Sequence, residues 1–240
     1  MSFIGSSTEK MASDAVKTLG LSVSKDELLK ELNDEKKALL KAEGYVVLPG
    51  IVELIKNLYQ MGVKLAIASS SSPSEIENVV KTLGIKKYFT KLVSSAHVEH
   101  PKPAPDCFHL ALKELGVNAK ETMVVEDSCY GAEAAKAAGI TCVGYVNPNS
   151  NHQDLSAADV LLESFENVDY RFFKNVLSRS TGTPITVADT KRLIIRELTT
   201  KDIPDMYAMY QDLDVRKYIP DIDEYLEVEM EKQAAYIRNV

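Results

Sequence analysis

TMVVEDSCYGAEAAKAAGITCV, residues 122–143, reads as strand, turn, helix and strand in unbroken succession. Thr122–Val125 is a short apolar run suited to a buried strand. Tyr130–Ala138 is a helix, Gly139 stops it, and Ile140–Val143 is apolar again. Two short strands joined through a helix make a βαβ unit, and such units build a parallel sheet covered by helices. Glu126 and Asp127 sit at the carboxyl end of the first strand, where ligands of such sheets bind.

The same rhythm extends in both directions. Upstream, Ile51–Gln60 is a helix, Val63–Ala68 a buried strand, Leu92-Val93 a brief strand and Asp106–Leu115 a helix ended by Gly116. Ser72-Pro73-Ser74-Glu75 opens another helix, with proline where its missing N–H costs nothing, and Gly84 closes it. Downstream, Asp159–Leu162 is a further strand and Val168–Leu177 a further helix. The chain begins differently, with two helices and no strand. Ser6 with Glu9, and Ser24 with Glu27, have capping-box spacing, and the helices stop near Gly20 and Gly44. Ser178–Asp189 is polar, holds Gly182 and Pro184, and reads as a linker. Leu193–Leu198 is then a strand, and Lys201–Gln211 and Leu226–Val240 are helices. The last is still apolar at the final residue, which suggests that the sequence was cut there.

Composition removes several classes of function. Hydrophobic residues make up 45% and charged residues 26% of the 240, the balance of a soluble globular protein. A net charge of −7 argues against nucleic-acid binding, which requires a basic surface. Cys107, Cys129 and Cys142 form no CxxC pair and read as reduced, small hydrophobes. His97, His100, His109 and His152 match no zinc spacing. The first residues turn polar at once, unlike a signal peptide, and no apolar run is long enough for a membrane span. A cytoplasmic protein is expected.

Three places can carry chemistry. Ser69, Ser70 and Ser71 follow a strand, and their hydroxyls and backbone N–H groups suit a phosphate. A serine-rich turn capping the Pro73 helix is the plainer alternative. Lys102 lies in PKPAP, residues 101–105, where two prolines hold the backbone extended and so aim the ammonium; a surface lysine in a rigid loop would look the same. Adjacent carboxylates at Glu126 and Asp127 repel unless compensated, and Mg²⁺ is a natural compensation. Alternatively they are acids favoured by the dipole of the next helix. Gly131 either lets backbone approach a ligand or permits tight helix packing.

Taken in order, LAIASSSS (65–72), HPKPAPDCF (100–108) and VVEDSCYGAEAAKAAG (124–139) closely resemble the haloacid dehalogenase superfamily. The resemblance is to its β-phosphoglucomutase and phosphoglycolate-phosphatase-like branch and spans roughly residues 1–165. It implies a Rossmann-like α/β core and Mg²⁺-dependent phosphoryl transfer on a small phosphorylated metabolite. Ser69 would hydrogen-bond the phosphoryl group, with Ser70 and Ser71 beside it; Lys102 would neutralise its charge, and Glu126 and Asp127 would hold the metal. The family's nucleophile, an aspartate in an Asp-x-Asp-Gly-Thr-like motif after the first strand, has no counterpart ahead of the opening helices. Without it no phosphoenzyme forms, and strands flanking that position should face a gap. An internal start, as a fragment, is expected. RLIIREL (192–198), with Asp202 and a helix beyond, resembles the opening of a GNAT-type N-acetyltransferase. The expected organisation is a partial helical cap over 1–44, the core over 45–178, a linker over 179–190 and an acetyltransferase-like fragment over 191–240. A non-catalytic phosphate- or Mg²⁺-binding module fused to an acetyltransferase is the alternative.

Overall fold

The computed structural model describes residues 8–150, 153–218 and Val228. The chain divides into two compact units, 1–180 and 181–240.

The first unit opens with helices α1 (Thr8–Leu19) and α2 (Lys25–Glu43). The predicted box at Ser24 forms: Glu27 N donates to Ser24 Oγ, and Ser24 N donates to the Glu27 carboxylate at 2.9 Å. Ser6 lies outside the described residues. Helix α3 (Ile51–Gln60) follows, then strand β1 (Ala66–Ser69), helix α4 (Pro73–Thr82), strand β2 (Lys91–Ser94) and helix α5 (Asp106–Leu115). Strand β3 (Met123–Glu126), helix α6 (Cys129–Ala137), strands β4 (Thr141–Tyr145) and β5 (Val160–Leu162) and helix α7 (Tyr170–Ser180) complete it. All strand pairs in this unit are parallel. The fold is α/β, Rossmann-like, with parallel strands covered by helices.

Strand β4 shows how the core is built. Successive side chains of a strand point to opposite faces. Cys142 accordingly packs with Phe108, Ala132, Ala135 and Ile140, largely from α5 and α6. Its neighbour Val143 packs with Leu54, Phe173 and Val176 from α3 and α7, and with Phe165. Gly50 enters α3 with φ +80°, and a Cβ there would meet the Phe165 backbone at 2.5 Å, so only glycine fits this close approach.

The strands form two sheets, β1–β2 and β3–β4–β5. Strands β1 and β3 are not paired; they border a cavity of about 580 Å³ lined by Ala66, Ala68, Val124, Leu54, Phe108 and Leu112, among others. Among the described residues, each of these strands has a strand partner on one side only. The gap expected from the sequence lies here.

Element boundaries depart from expectation where pairing decides them. The strand expected over Val63–Ala68 begins only at Ala66, because its register with β2 starts at the Ala66–Lys91 pair. The helix expected from Val168 begins at Tyr170, since Asp169 Oδ1 accepts from Arg171 N at 2.9 Å and acts as the cap.

In the second unit, strands β6 (Thr186–Asp189) and β7 (Ile194–Arg196) pair antiparallel. Residues expected as linker therefore include a strand. Its partner comes from just beyond a turn, in which Thr190 Oγ1 accepts from Leu193 N at 2.9 Å. The helix expected over Lys201–Gln211 divides into a 3₁₀ turn, Thr200–Asp202, and α8 (Ile203–Tyr210); α9 (Leu213–Arg216) follows. The helix expected over Leu226–Val240 lies outside the described residues, Val228 apart. No described helix is long and apolar enough to cross a membrane.

Candidate functional site

The residues singled out in the sequence meet at the carboxyl ends of β1 and β3. Lys102 is the centre. It is 4% exposed, and Nζ donates to Ala68 O at 3.1 Å and to Glu126 Oε1. The ammonium also lies 4.5 Å from the centre of the Phe108 ring, a further favourable contact for a buried cation. The backbone around it is a turn, closed by Ala104 N donating to Pro101 O at 3.0 Å, with the Lys102–Pro103 peptide cis. The extended geometry expected of the prolines is not what aims the ammonium; a turn with proline at its third position does.

Glu126 ends β3, and its second oxygen accepts from Ser128 Oγ at 3.1 Å. Ser128 also caps α6, accepting from Gly131 N at 3.1 Å. Gly131 resolves a choice left open by the sequence. A Cβ at that position would stand 1.9 Å from Glu126 Oε2, so glycine makes room for the carboxylate itself. The turn from β3 into α6 thus fixes Glu126 from below while Lys102 holds it from the side.

Asp127, the next residue, has different partners. Its Oδ2 accepts from Asn147 Nδ2 at 2.9 Å. The two adjacent acids are therefore compensated separately, Glu126 by a buried ammonium and Asp127 by an amide. Among the described residues no three His, Cys, Asp or Glu side chains cluster as a ready metal cage. The donor set suits Mg²⁺ in another way, because that ion takes one or two carboxylates and completes its shell with water and phosphate oxygens. Asp127 retains Oδ1 for such a role.

Ser69 ends β1, Ser70 and Ser71 follow it, and all three are half-buried. Ser71 N donates to Ser69 Oγ at 3.1 Å, and Ser94 Oγ, from the end of β2, donates to Ser71 O at 2.6 Å. It is Ser72, not these three, that caps α4, in a reciprocal box with Glu75. The serine loop is thereby held over the strand ends by its neighbours without being consumed as a helix cap.

The cysteines are poor nucleophiles here. Burial pushes the Cys142 thiol up to about 12, with the negative charge of Glu126 adding to it. Burial likewise raises Cys107. His100 Nδ1 lies 3.1 Å from Asp106 Oδ2, and His152 lies outside the described residues.

Sequence reading missed Ser128 and Asn147. Ser128 carried a signal, a cap-type residue directly before a helix. Asn147 carried none, since its contact to Asp127 crosses 20 residues.

A family model described as haloacid dehalogenase-like hydrolase matches residues 1–145. The chain is 34% identical over 135 residues to protein CbbY of Cereibacter sphaeroides, covering 55% of this chain and 59% of that protein. It is 34% identical over 160 residues to validoxylamine A 7′-phosphate phosphatase of Streptomyces hygroscopicus subsp. limoneus, covering 67% of this chain and 73% of that one. The crystal structure of β-phosphoglucomutase from Clostridium difficile superimposes with a TM-score of 0.63 at 23% identity, covering 74% of this chain and 80% of the other. That likeness is one of fold. The chain thus spans 59% of the length of its CbbY relative.

Proposed function

Since the chain belongs to the haloacid dehalogenase-like hydrolase family, we propose that it supplies the phosphoryl- and Mg²⁺-binding half of a phosphoryl-transfer site. The substrate class would be a small phosphorylated metabolite, processed by hydrolysis or by sugar-phosphate mutase chemistry. The observation that carries this reading is the convergence of Ser69's loop, Lys102 and the Glu126-Asp127 turn at two neighbouring strand ends. A buried lysine aimed at strand ends, beside a loop of hydroxyls, is built to receive a multiply charged anion. The phosphatase activity named for the Streptomyces relative agrees with it.

In this reading Ser69, with Ser70 and Ser71, donates hydrogen bonds to the phosphoryl oxygens. Lys102 neutralises charge on those oxygens as it accumulates in the transition state, its ammonium placed by the Phe108 ring and the Ala68 carbonyl. Asp127, and Glu126 directly or through water, would hold Mg²⁺, which when bound offsets the remaining phosphoryl charge. Glu126 holds Lys102 in place. In this reading Glu126 serves the ammonium and Asp127 the metal, and neither is the attacking group. The attacking aspartate of the family is therefore read as lying on a further strand seated between β1 and β3, and this chain alone as inactive in turnover.

The same engagement favours a second reading, a phosphate- or Mg²⁺-binding module that regulates an attached domain. Residues 191–240 would then open an acetyltransferase-like domain, a reading supported by the succession of β7 and α8.

Hydrolysis of an aryl phosphate with Mg²⁺ tests the proposal, comparing this chain with the same chain extended upstream in its gene. Activity confined to the longer form and removed by Asp127→Ala is the expected outcome. Turnover by the short chain would mean that a carboxylate within it attacks. Binding of phosphate by both forms with turnover by neither would favour the regulatory module.

A further inference from the structure

Asn147 lies in the loop after β4, and among the described residues it is Asp127's one hydrogen-bond partner. Its amide is not free to turn. Asn149 N donates to Asn147 Oδ1 at 3.0 Å, which assigns the oxygen end of the amide and leaves Nδ2 to face Asp127. The loop is in turn fastened by its own backbone. Ser150 N and Ser150 Oγ both donate to Asn147 O, at 3.1 and 2.9 Å, and Ser150 is 5% exposed. A second tie runs from Cys129 N, in the first turn of α6, to Gln153 Oε1 at 3.4 Å. The loop after β4 therefore holds the β3–α6 turn at two points.

We infer that Asn147 is a positioning residue that sets the rotation of the Asp127 carboxylate, holding Oδ2 and presenting Oδ1 to a divalent cation. The inference rests on the reading of Asp127 as a Mg²⁺ ligand. A carboxylate without such a donor turns about its Cβ–Cγ bond, and ordering it on metal binding costs affinity. Partners of this kind, which touch the ligand and not the metal, typically account for about 10- to 100-fold in affinity. Among the described residues, the Lys102 ammonium and the Ser128 hydroxyl are both spent on Glu126.

The test is Mn²⁺ affinity of the full chain, by electron paramagnetic resonance titration, alongside its metal-free melting temperature. Asp127→Ala should abolish the site, and Asn147→Ala should weaken it about tenfold or more. In wild type, Mg²⁺ should also shift the Asn147 side-chain amide signals in a ¹H–¹⁵N spectrum, and it should not do so in Asp127→Ala. If Asn147→Ala lowers the melting temperature but leaves Mn²⁺ affinity at the wild-type value, Asn147 is only a loop tie and the inference falls while the metal reading stands. If Asp127→Ala leaves Mn²⁺ binding unchanged, or the wild-type chain binds none, the metal reading fails and takes the inference with it.

Discussion

Lys102 with Glu126 in the first unit, and Arg196 with Asp202 in the second, each join a cation to a carboxylate. The side chains of the first couple are 4% and 12% exposed, those of the second 37% and 19%. The Arg196 fork has the better pairing geometry, two hydrogen bonds of 2.8 and 2.5 Å to the two oxygens of Asp202. By geometry alone it would rank first. Burial reverses the ranking, because water and salt screen the exposed couple, whereas the buried one cannot lose a partner without stranding a charge. The difference teaches what each couple is for. Arg196 and Asp202 fasten the turn that precedes α8, with Thr199 N adding 2.7 Å to the same carboxylate. Lys102 and Glu126 keep an ammonium in place at two strand ends, where the proposed function has it meet an anion.

The most damaging way to break this contrast is to remove one buried partner. Lys102→Ala should cost about 3–5 kcal/mol in urea unfolding, the range for an uncompensated buried charge. Replacing both partners, Lys102→Met with Glu126→Leu, should restore stability to within about 1–2 kcal/mol of wild type while phosphate binding stays lost. That pair of results would separate the couple's role in folding from its role in anion recognition; retained phosphate binding in the double variant would remove Lys102 from the site.

Gly131→Ala is expected to have a smaller effect, about 1–3 kcal/mol by overpacking. Its methyl group would occupy the position of the Glu126 carboxylate, so its cost should shrink sharply in the Glu126→Ala background. Equal costs in the two backgrounds would show that Gly131 serves helix packing alone.

Arg196→Ala should change melting least, and less still in high salt, where the Debye length is about 3 Å at 1 M. Acid supplies the last comparison. Hydrogen bonding from Arg196, and then from Thr199, holds the Asp202 carboxyl well below the usual carboxylate range. A depressed folded value means that its stabilisation is present above the unfolded value of about 4 and is lost as pH falls through the folded one. Hydrogen-exchange protection at residues 199–203, measured relative to the intrinsic rate and followed downward from pH 5, should therefore fall only well into acid, and Arg196→Ala should move that onset to higher pH.

Much of this was legible in the sequence where the forces are local. Ile51–Gln60 and Asp106–Leu115 form helices over the residues predicted, and the box at Ser24 closes as its spacing requires. Caps, stops and apolar spacing act within a turn or two, so neighbouring residues suffice to specify them. The parallel α/β character was equally plain, since short apolar strands alternating with helices leave few other ways to bury both faces.

Tertiary structure alone decided the rest. It set where β1 begins, because pairing with Lys91 lies far along the chain. It turned part of an apparent linker into β6 by providing β7 as a partner. It spent Glu126 on Lys102 and gave Asp127 to Asn147, a division that two adjacent acidic letters cannot express. Sequence fixes which groups a chain can offer; which oxygen meets which donor depends on contacts between segments whose separation only the folded chain removes.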